Sequence, residues 1–339
     1  MKTMRAVTLK AYGAVNMLGI GQVPEPAFSR PNDVLIKVVA AGVNRADISQ
    51  RRGHYPPPPG VSELLGLEVS GVVLRVGSNV KRFGEGDRVM ALLAGGGYAD
   101  LVVAHEGSVM KIPDEYSFVE AAAIPEGFLT AWQLLRRHGS LKKGQCVLVH
   151  AGASGVGTSL MQLAGKYFGA KVVATCSEGK VDFCKKFADI VVDRSPDEMG
   201  RCFCHKVKSA VGDDAVNLVV DPVVGGSYLN EDGIVLAQDG KIVVIALMGG
   251  SKVELNISTL LRKRGTIVFS KLRDQTDEYK ASLVEEFERE VIPYLKDRII
   301  TPIVQRTFAM EDVAEAHVFM EGNMTNGKVI LTMCDSTGE

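Results

Sequence analysis

Cys146-Val147-Leu148-Val149-His150-Ala151-Gly152-Ala153-Ser154-Gly155-Val156-Gly157 is the stretch whose reading decides the fold. An apolar run that breaks into glycines and resumes as Thr158-Ser159-Leu160-Met161 reads as a strand turning sharply into a helix. Gly152 and Gly157 match the outer glycines of G-x-G-x-x-G, with Ser154 at the middle position and Gly155 and Val156 between it and the last. On this reading Gly152 permits the tight turn and Gly157 lets helix pack closely on strand. The helix N-terminus then offers unpaired N–H groups to a pyrophosphate, so a dinucleotide is expected.

Working outward, the chain alternates. Helix is expected over Thr158–Phe168 and Lys180–Phe187, with strands at Lys171–Thr175 and Asp189–Val192. The series continues with strand Val216–Asp221, a helix near Ser227–Leu236, and strands Lys241–Leu247 and Thr266–Ser270. Short-linked βαβ units imply an α/β architecture with a doubly wound parallel sheet, because right-handed crossovers place helices on both faces. An NAD site would carry a carboxylate at the end of the second strand. Cys176 stands there, followed by Ser177 and then Lys180, with Arg194 after the third strand. A hydroxyl and cations can receive a 2′-phosphate, so NADPH is the expected cofactor. Glu178 is the one feature opposing it.

The first third has another texture. Arg5–Leu9, Asp33–Ala41, Val69–Val76 and Asp87–Leu93 read as strands punctuated by Gly, Pro and Asn, as in an antiparallel or barrel-like β domain. Ser117 and Glu120 form a capping box whose helix runs to Ile124, where Pro125 is expected to interrupt it. A second helix follows over Glu126–His138 with Gly139 to stop it. The tail from Asp277 reads as mostly helix, closing in a strand over Lys328–Met333 that is expected to return to the first domain.

Composition limits the rest. The 339 residues carry a formal net charge of −1 and no sustained Lys/Arg stripe, which argues against a nucleic-acid partner. No apolar stretch approaches the ~18 residues of a membrane span, and Met1–Lys10 lacks the apolar core of a secretory signal, so the cytoplasm is the expected compartment. The six irregularly spaced cysteines, Cys146, Cys176, Cys184, Cys202, Cys204 and Cys334, read as reduced thiols. Cys202-Phe203-Cys204-His205 packs three potential ligands into four residues with no second pair downstream, and reads as a half-exposed helix face rather than a metal site.

Asn44-Arg45-Ala46-Asp47, Gly53-His54-Tyr55, Gly66-Leu67-Glu68, Ala122-Ala123-Ile124-Pro125 and the glycine loop together resemble the zinc-free quinone oxidoreductases of the medium-chain dehydrogenase/reductase superfamily. Asn44–Gly60, Met90–Gly97 and Leu247–Gly250 look most like the tumour-suppressor-induced quinone oxidoreductase branch. The resemblance implies a GroES-like β-rich catalytic domain over 1–124 and 271–339, and a Rossmann domain over 125–270 binding NADPH. It also implies a homodimer paired through Thr266–Ser270. Zinc-dependent members place a cysteine just after the strand near Gly42 and a histidine in Gly-His-Glu. Here Gly42-Val43-Asn44 and Gly66-Leu67-Glu68 stand instead, and no four-cysteine loop follows, so no metal is expected.

By the same resemblance Asn44 and Tyr55 line the nicotinamide and acceptor pocket as catalytic candidates, with Asn44 also touching the cofactor. Thr130, Leu247, Met248, Gly249, Phe269, Ser270 and Lys328 border the cofactor. Asn44 also reads as an N-cap for Arg45–Arg52, and Tyr55 as a brace for the proline run. Asp47 and Glu68 read as buried carboxylates paired with an arginine rather than proton donors, so no dedicated acid–base residue is expected. Without a Lewis acid the acceptor should take hydride at low cost. That points to a quinone or another electrophilic small molecule, held in a cleft between the domains. An alkene or enoyl-thioester reductase and an NADPH-binding sensor with weak catalysis stay open.

Overall fold

Alternating Val34, Ile36 and Val38 are buried on one long strand, and the sheet of the first unit is built around it. The computed structural model describes residues 2–333. It divides into two compact units, one running up to Leu129 and resuming at Leu272, the other Thr130–Lys271. In the first, β1 (Thr3–Leu9) pairs antiparallel with β2 (Leu18–Pro24). The larger sheet uses β3 (Asp33–Val43), β4 (Glu68–Val76), β5 (Arg88–Leu92), β6 (Leu101–His105) and β7 (Val109–Lys111). Two short helices belong here, α1 (Arg45–Arg51) and α2 (Phe118–Ala121). The Ser117–Glu120 capping box forms as read, but α2 ends at Ala121. Pro125 does not interrupt a helix. It opens α3 (Pro125–Trp132), because a proline's fixed φ and missing N–H suit the first helical turn. The unit boundary falls inside α3.

The second unit carries β8 (Cys146–Val149), β9 (Lys171–Cys176), β10 (Ile190–Asp193), β11 (Val216–Asp221), β12 (Leu236–Val244) and β13 (Thr266–Phe269). All pair in parallel in the order β10-β9-β8-β11-β12-β13, the doubly wound arrangement. Its helices are α4 (Gly155–Gln162), α5 (Val181–Cys184), α6 (Cys204–Val211), α7 (Tyr228–Val235) and α8 (Ile257–Lys263). Two expected helices end in π-turns, Gln133–His138 after α3 and Leu163–Tyr167 after α4, and Trp132 packs edge-on against Tyr167. The helix expected over Lys180–Phe187 shrinks to a 3₁₀ turn and the four residues of α5. β12 starts five residues before the expected Lys241.

The tail is less helical than read. After α9 (Asp277–Glu290) and α10 (Ile292–Lys296) comes a strand, β14 (Val304–Ala309), then α11 (Val313–Glu321) and β15 (Lys328–Thr332). β15 pairs in parallel with β14 and antiparallel with β3, giving the order β14-β15-β3-β4-β5-β7 with β6 also on β3. The returning strand therefore joins the first unit's sheet.

The five cysteines among the described residues are free thiols, and Cys334 lies outside them. Around Cys202–Cys204 the buried Glu231 carboxylate accepts the N–H groups of Cys202, Phe203 and Cys204 at 2.7–2.8 Å, which anchors the start of α6. Among the described residues no helix is long and apolar enough to cross a membrane.

Candidate active site

The turn after β8 differs in one respect from the sequence reading. The left-handed residue is Ala151, at φ 52°, and Gly152 does not take positive φ. What Gly152 provides is room, because a Cβ there would lie 3.1 Å from Ala174 Cβ and 3.4 Å from Cys184 Sγ. Gly157 is more constrained, since a Cβ would collide with the carbonyl oxygens of Ala151 and Gly152. Ser154 caps α4, its Oγ accepting the Gly157 N–H at 3.0 Å. A serine in ordinary extended conformation thus serves where the motif has a glycine. Gly155 and Val156 occupy the first helical turn, where N–H groups have no intrahelical acceptor.

Behind the loop, His150 is fully buried. One ring nitrogen lies 2.7 Å from Thr175 Oγ1 and the other 2.8 Å from Asp232 Oδ1, with Phe203 and Tyr228 against its ring. Burial pushes its pKa down to about 4, so the neutral imidazole is a structural link between β8, β9 and α7.

At the end of β9, Ser177 and Arg194 meet. Arg194 Nη2 donates to Ser177 Oγ at 3.1 Å, and its backbone N–H donates to Cys176 O. Lys180 sits in the same turn, its N–H donating to Ser177 O at 2.9 Å. Leu247–Gly249 form a loop tied to the one after β11, with Met248 N–H donating to Pro222 O and Gly249 N–H to Val223 O. Thr130 is buried, and among the described residues its hydroxyl has no hydrogen-bond partner. A buried hydroxyl left unpaired costs about 1–3 kcal/mol, which a ligand group can recover. Close by in sequence, Gln133 Nε2 donates to Ser270 Oγ at 2.5 Å. Phe269 ends β13 with a largely exposed ring.

The first unit gathers Asn44, Tyr55 and Lys328 with several groups the sequence did not single out. Asn44 N–H donates to Asp47 at 2.8 Å, half of a capping box. Its side chain is engaged at both ends, Nδ2 donating to Glu68 Oε1 at 2.9 Å and Oδ1 accepting from Lys328 Nζ at 2.7 Å. Lys328 Nζ also donates to Glu68 Oε1, in a pair that is almost wholly buried. Glu68 Oε2 accepts the Glu126 backbone N–H at 2.8 Å. Gly42 makes room for this, because a Cβ there would overlap the Glu68 carboxylate. Asp47 accepts from Gly66 N–H and Tyr98 Oη, and burial still raises its pKa to about 6.

Tyr55 is half-buried and clamped by Arg273. The guanidinium lies 5.0 Å from the ring centroid and donates to Tyr55 O, Ala94 O and Gln50 Oε1. Burial first, and then the Glu126 charge, push the phenol to about 12. Arg273 and Glu126 were missed because neither lies in a motif. The one available signal was Glu126 directly after the proline that starts α3.

Residues 30–114 match the alcohol dehydrogenase GroES-like domain family, and residues 188–331 match the zinc-binding dehydrogenase family. The chain is 31% identical over 340 residues to the quinone oxidoreductase of Pongo abelii, covering 98% of each. It belongs to the medium-chain dehydrogenase/reductase superfamily. A second relative within that superfamily is the synaptic vesicle membrane protein VAT-1 homolog-like of Mus musculus, 30% identical across 97% of this chain and 81% of that one. The human VAT-1 homolog-like crystal structure superposes with a TM-score of 0.84 at 28% identity, covering 99% and 100% of the two chains. Medium-chain dehydrogenase/reductases are oxidoreductases that bind a nicotinamide dinucleotide. The glycine cradle and the unpaired Thr130 hydroxyl of this chain fit such a cofactor.

Proposed function

We propose that the protein is an NADPH-dependent quinone reductase that works without a metal ion. The observation that carries the metal-free reading is Lys328, whose ammonium is hydrogen-bonded to Asn44 and Glu68. These lie at or beside the positions where zinc-dependent members place ligands. An amide, one carboxylate and a cation supplied by the chain itself do not make a zinc ligand set. The quinone reading is supported by the near full-length similarity to quinone oxidoreductases. NADPH, when bound, supplies the hydride. The loop from Gly152 to Gly157 receives the pyrophosphate, Ser177, Lys180 and Arg194 receive the 2′-phosphate, and Thr130, Leu247–Gly249, Phe269 and Ser270 border the nicotinamide. Asn44 and Tyr55 line the acceptor, and Lys328 holds the Asn44 amide in one orientation.

The test is NADPH oxidation by chelator-treated protein with an ortho-quinone, a para-quinone and an unsaturated aldehyde. Quinone turnover unaffected by the chelator is the expected result, whereas turnover of the aldehyde alone replaces this reading with an alkene reductase. The cofactor preference has its own check. Arg194→Ala removes the guanidinium that reaches Ser177 Oγ, and should raise the KM for NADPH about tenfold while leaving that for NADH unchanged, a loss of ~1.4 kcal/mol. Equal changes for both cofactors would remove Arg194 from the phosphate site.

We also propose a homodimer paired along β13. That strand is the edge of its sheet, Phe269 at its end is 71% exposed, and Ile257 and Leu261 on the adjoining α8 are likewise exposed. An uncovered apolar edge of this kind is a liability unless another chain covers it. Light scattering should give twice the chain mass for the wild type and the single-chain mass for Phe269→Asp. A monomeric wild type would contradict the proposal.

A further inference from the structure

We propose that Glu126 is the proton donor of the reaction, giving its carboxyl proton to the oxyanion of the reduced acceptor; the inference rests on the quinone-reductase reading above. Glu68 Oε2 reaches the backbone N–H of Glu126 at 2.8 Å in the first unit, and the surroundings of the two carboxyl groups differ. Glu68 is held by Lys328 Nζ, Asn44 Nδ2 and the Glu126 backbone N–H. The Glu126 side chain accepts no hydrogen bond among the described residues, although it is only partly exposed and starts from the first turn of α3. A carboxyl group in such a recess, next to a paired carboxylate and without donors of its own, keeps its proton at neutral pH. Burial and then the Glu68 charge raise its pKa to about 8. A carboxyl group that keeps its proton at neutral pH is equipped to act as the acid.

The surrounding groups fit that task. Glu126 interacts electrostatically with Tyr55 on the segment after α1, Asp47 on α1, Glu68 on β4, Lys328 on β15, Arg273 before α9 and Lys280 on α9. Lys328 and Arg273 lower its pKa and Glu68 and Asp47 raise it. It therefore lies near Tyr55, the tyrosine proposed above to line the acceptor. Hydride transfer brings the quinone two electrons and one hydrogen and leaves one of its oxygens as an oxyanion, the nicotinamide being oxidised. The Glu126 O–H bond then breaks, an O–H bond forms on that oxygen to complete the hydroquinone, and the Glu126 carboxylate regains a proton from water.

The experiment combines kinetics with a readout on the cofactor-free protein. In wild type, kcat/KM for the quinone should be level near neutral pH and fall above about pH 8, because the acid form is the active one. Glu126→Gln should lower kcat about a hundredfold and abolish that fall, and Glu126→Asp should restore part of both. The loss should be larger for alkyl-substituted quinones, whose reduced oxyanion is strongly basic, than for halogenated ones. Infrared difference spectra of cofactor-free protein should contain a protonated-carboxyl band at pH 7 that disappears with a midpoint near 8 and is absent from Glu126→Gln. A carboxyl already ionised at pH 6, or a Gln variant that keeps the wild-type rate and alkaline limb, overturns the assignment. A wild type that binds NADPH and turns over no quinone overturns the quinone reading instead.

Discussion

Gly157→Val is expected to weaken nicotinamide dinucleotide binding more than a hundredfold, about 3 kcal/mol or more. The atoms a side chain would meet at this position are backbone carbonyls, Ala151 O and Gly152 O, and not the flexible ends of side chains. Neither can rotate away, because both belong to the turn that joins β8 to α4, and Gly152 N–H is itself bonded to Thr175 O. The helix must lift from the turn, which moves the Gly155 and Val156 N–H groups out of register with a pyrophosphate and breaks the Ser154 cap. Overpacking of this kind also costs about 1–3 kcal/mol of stability. Ser154→Ala serves as the scale, since it loses the cap alone, ~1 kcal/mol, with no steric conflict. Calorimetric titration with NADPH, alongside thermal unfolding of each variant, separates the two effects. A valine variant that binds within tenfold of wild type would mean that the loop does not carry the cofactor.

Lys328→Met should destabilise the protein by about 3–5 kcal/mol, because it leaves a buried carboxylate without its cation. Glu68 would retain only the Asn44 amide and one backbone N–H, and it cannot swing toward water while packed against the Cα of Gly42. Adding Glu68→Gln removes the stranded charge, so the double variant should recover much of the loss. The double-mutant cycle then reads the coupling directly. The sign of the accompanying proton shift follows from the same contact. Lys328 lowers the Glu126 pKa, so the methionine variant should retain the Glu126 proton to higher pH and move the alkaline limb upward. If Lys328 instead acts mainly on the cofactor, the variant will unfold like wild type and show its effect in the KM for NADPH alone.

The second unit was legible because its information is local. β8, the glycine run and the helix after it lie within twenty residues, and Val216–Asp221 is a strand at both stated ends. Element ends governed by packing were not legible. Nothing in the periodicity of Gln133–His138 or Leu163–Tyr167 distinguishes a π-turn from an α-turn, since the wider turn accompanies the packing of Trp132, Tyr167 and Phe168. Ala151 shows the same limit, as its left-handed backbone is one that sequence rules assign to glycine. In the first unit the obstacle is distance along the chain. Glu68 meets the Glu126 N–H across 58 residues and the Lys328 ammonium across 260. A titration set by neighbours so remote leaves no pattern in any window of sequence.

β15 completes the first unit's sheet from the far end of the chain, and this gives biosynthesis a fixed order of events. When Glu68 is added to the growing chain, its cationic partner is still 260 residues from being made, on the order of 10–50 s at ~5–20 residues/s. During that interval β3 shows the nascent chain's surroundings an unpaired edge over Ala40–Val43, while residues 130–271 emerge with every strand of their own sheet. The inserted unit can therefore close first, and the unit that begins the chain closes last. Chaperone occupancy on the growing chain should accordingly persist until Lys328–Thr332 has cleared the exit tunnel, with the interrupted unit as its client.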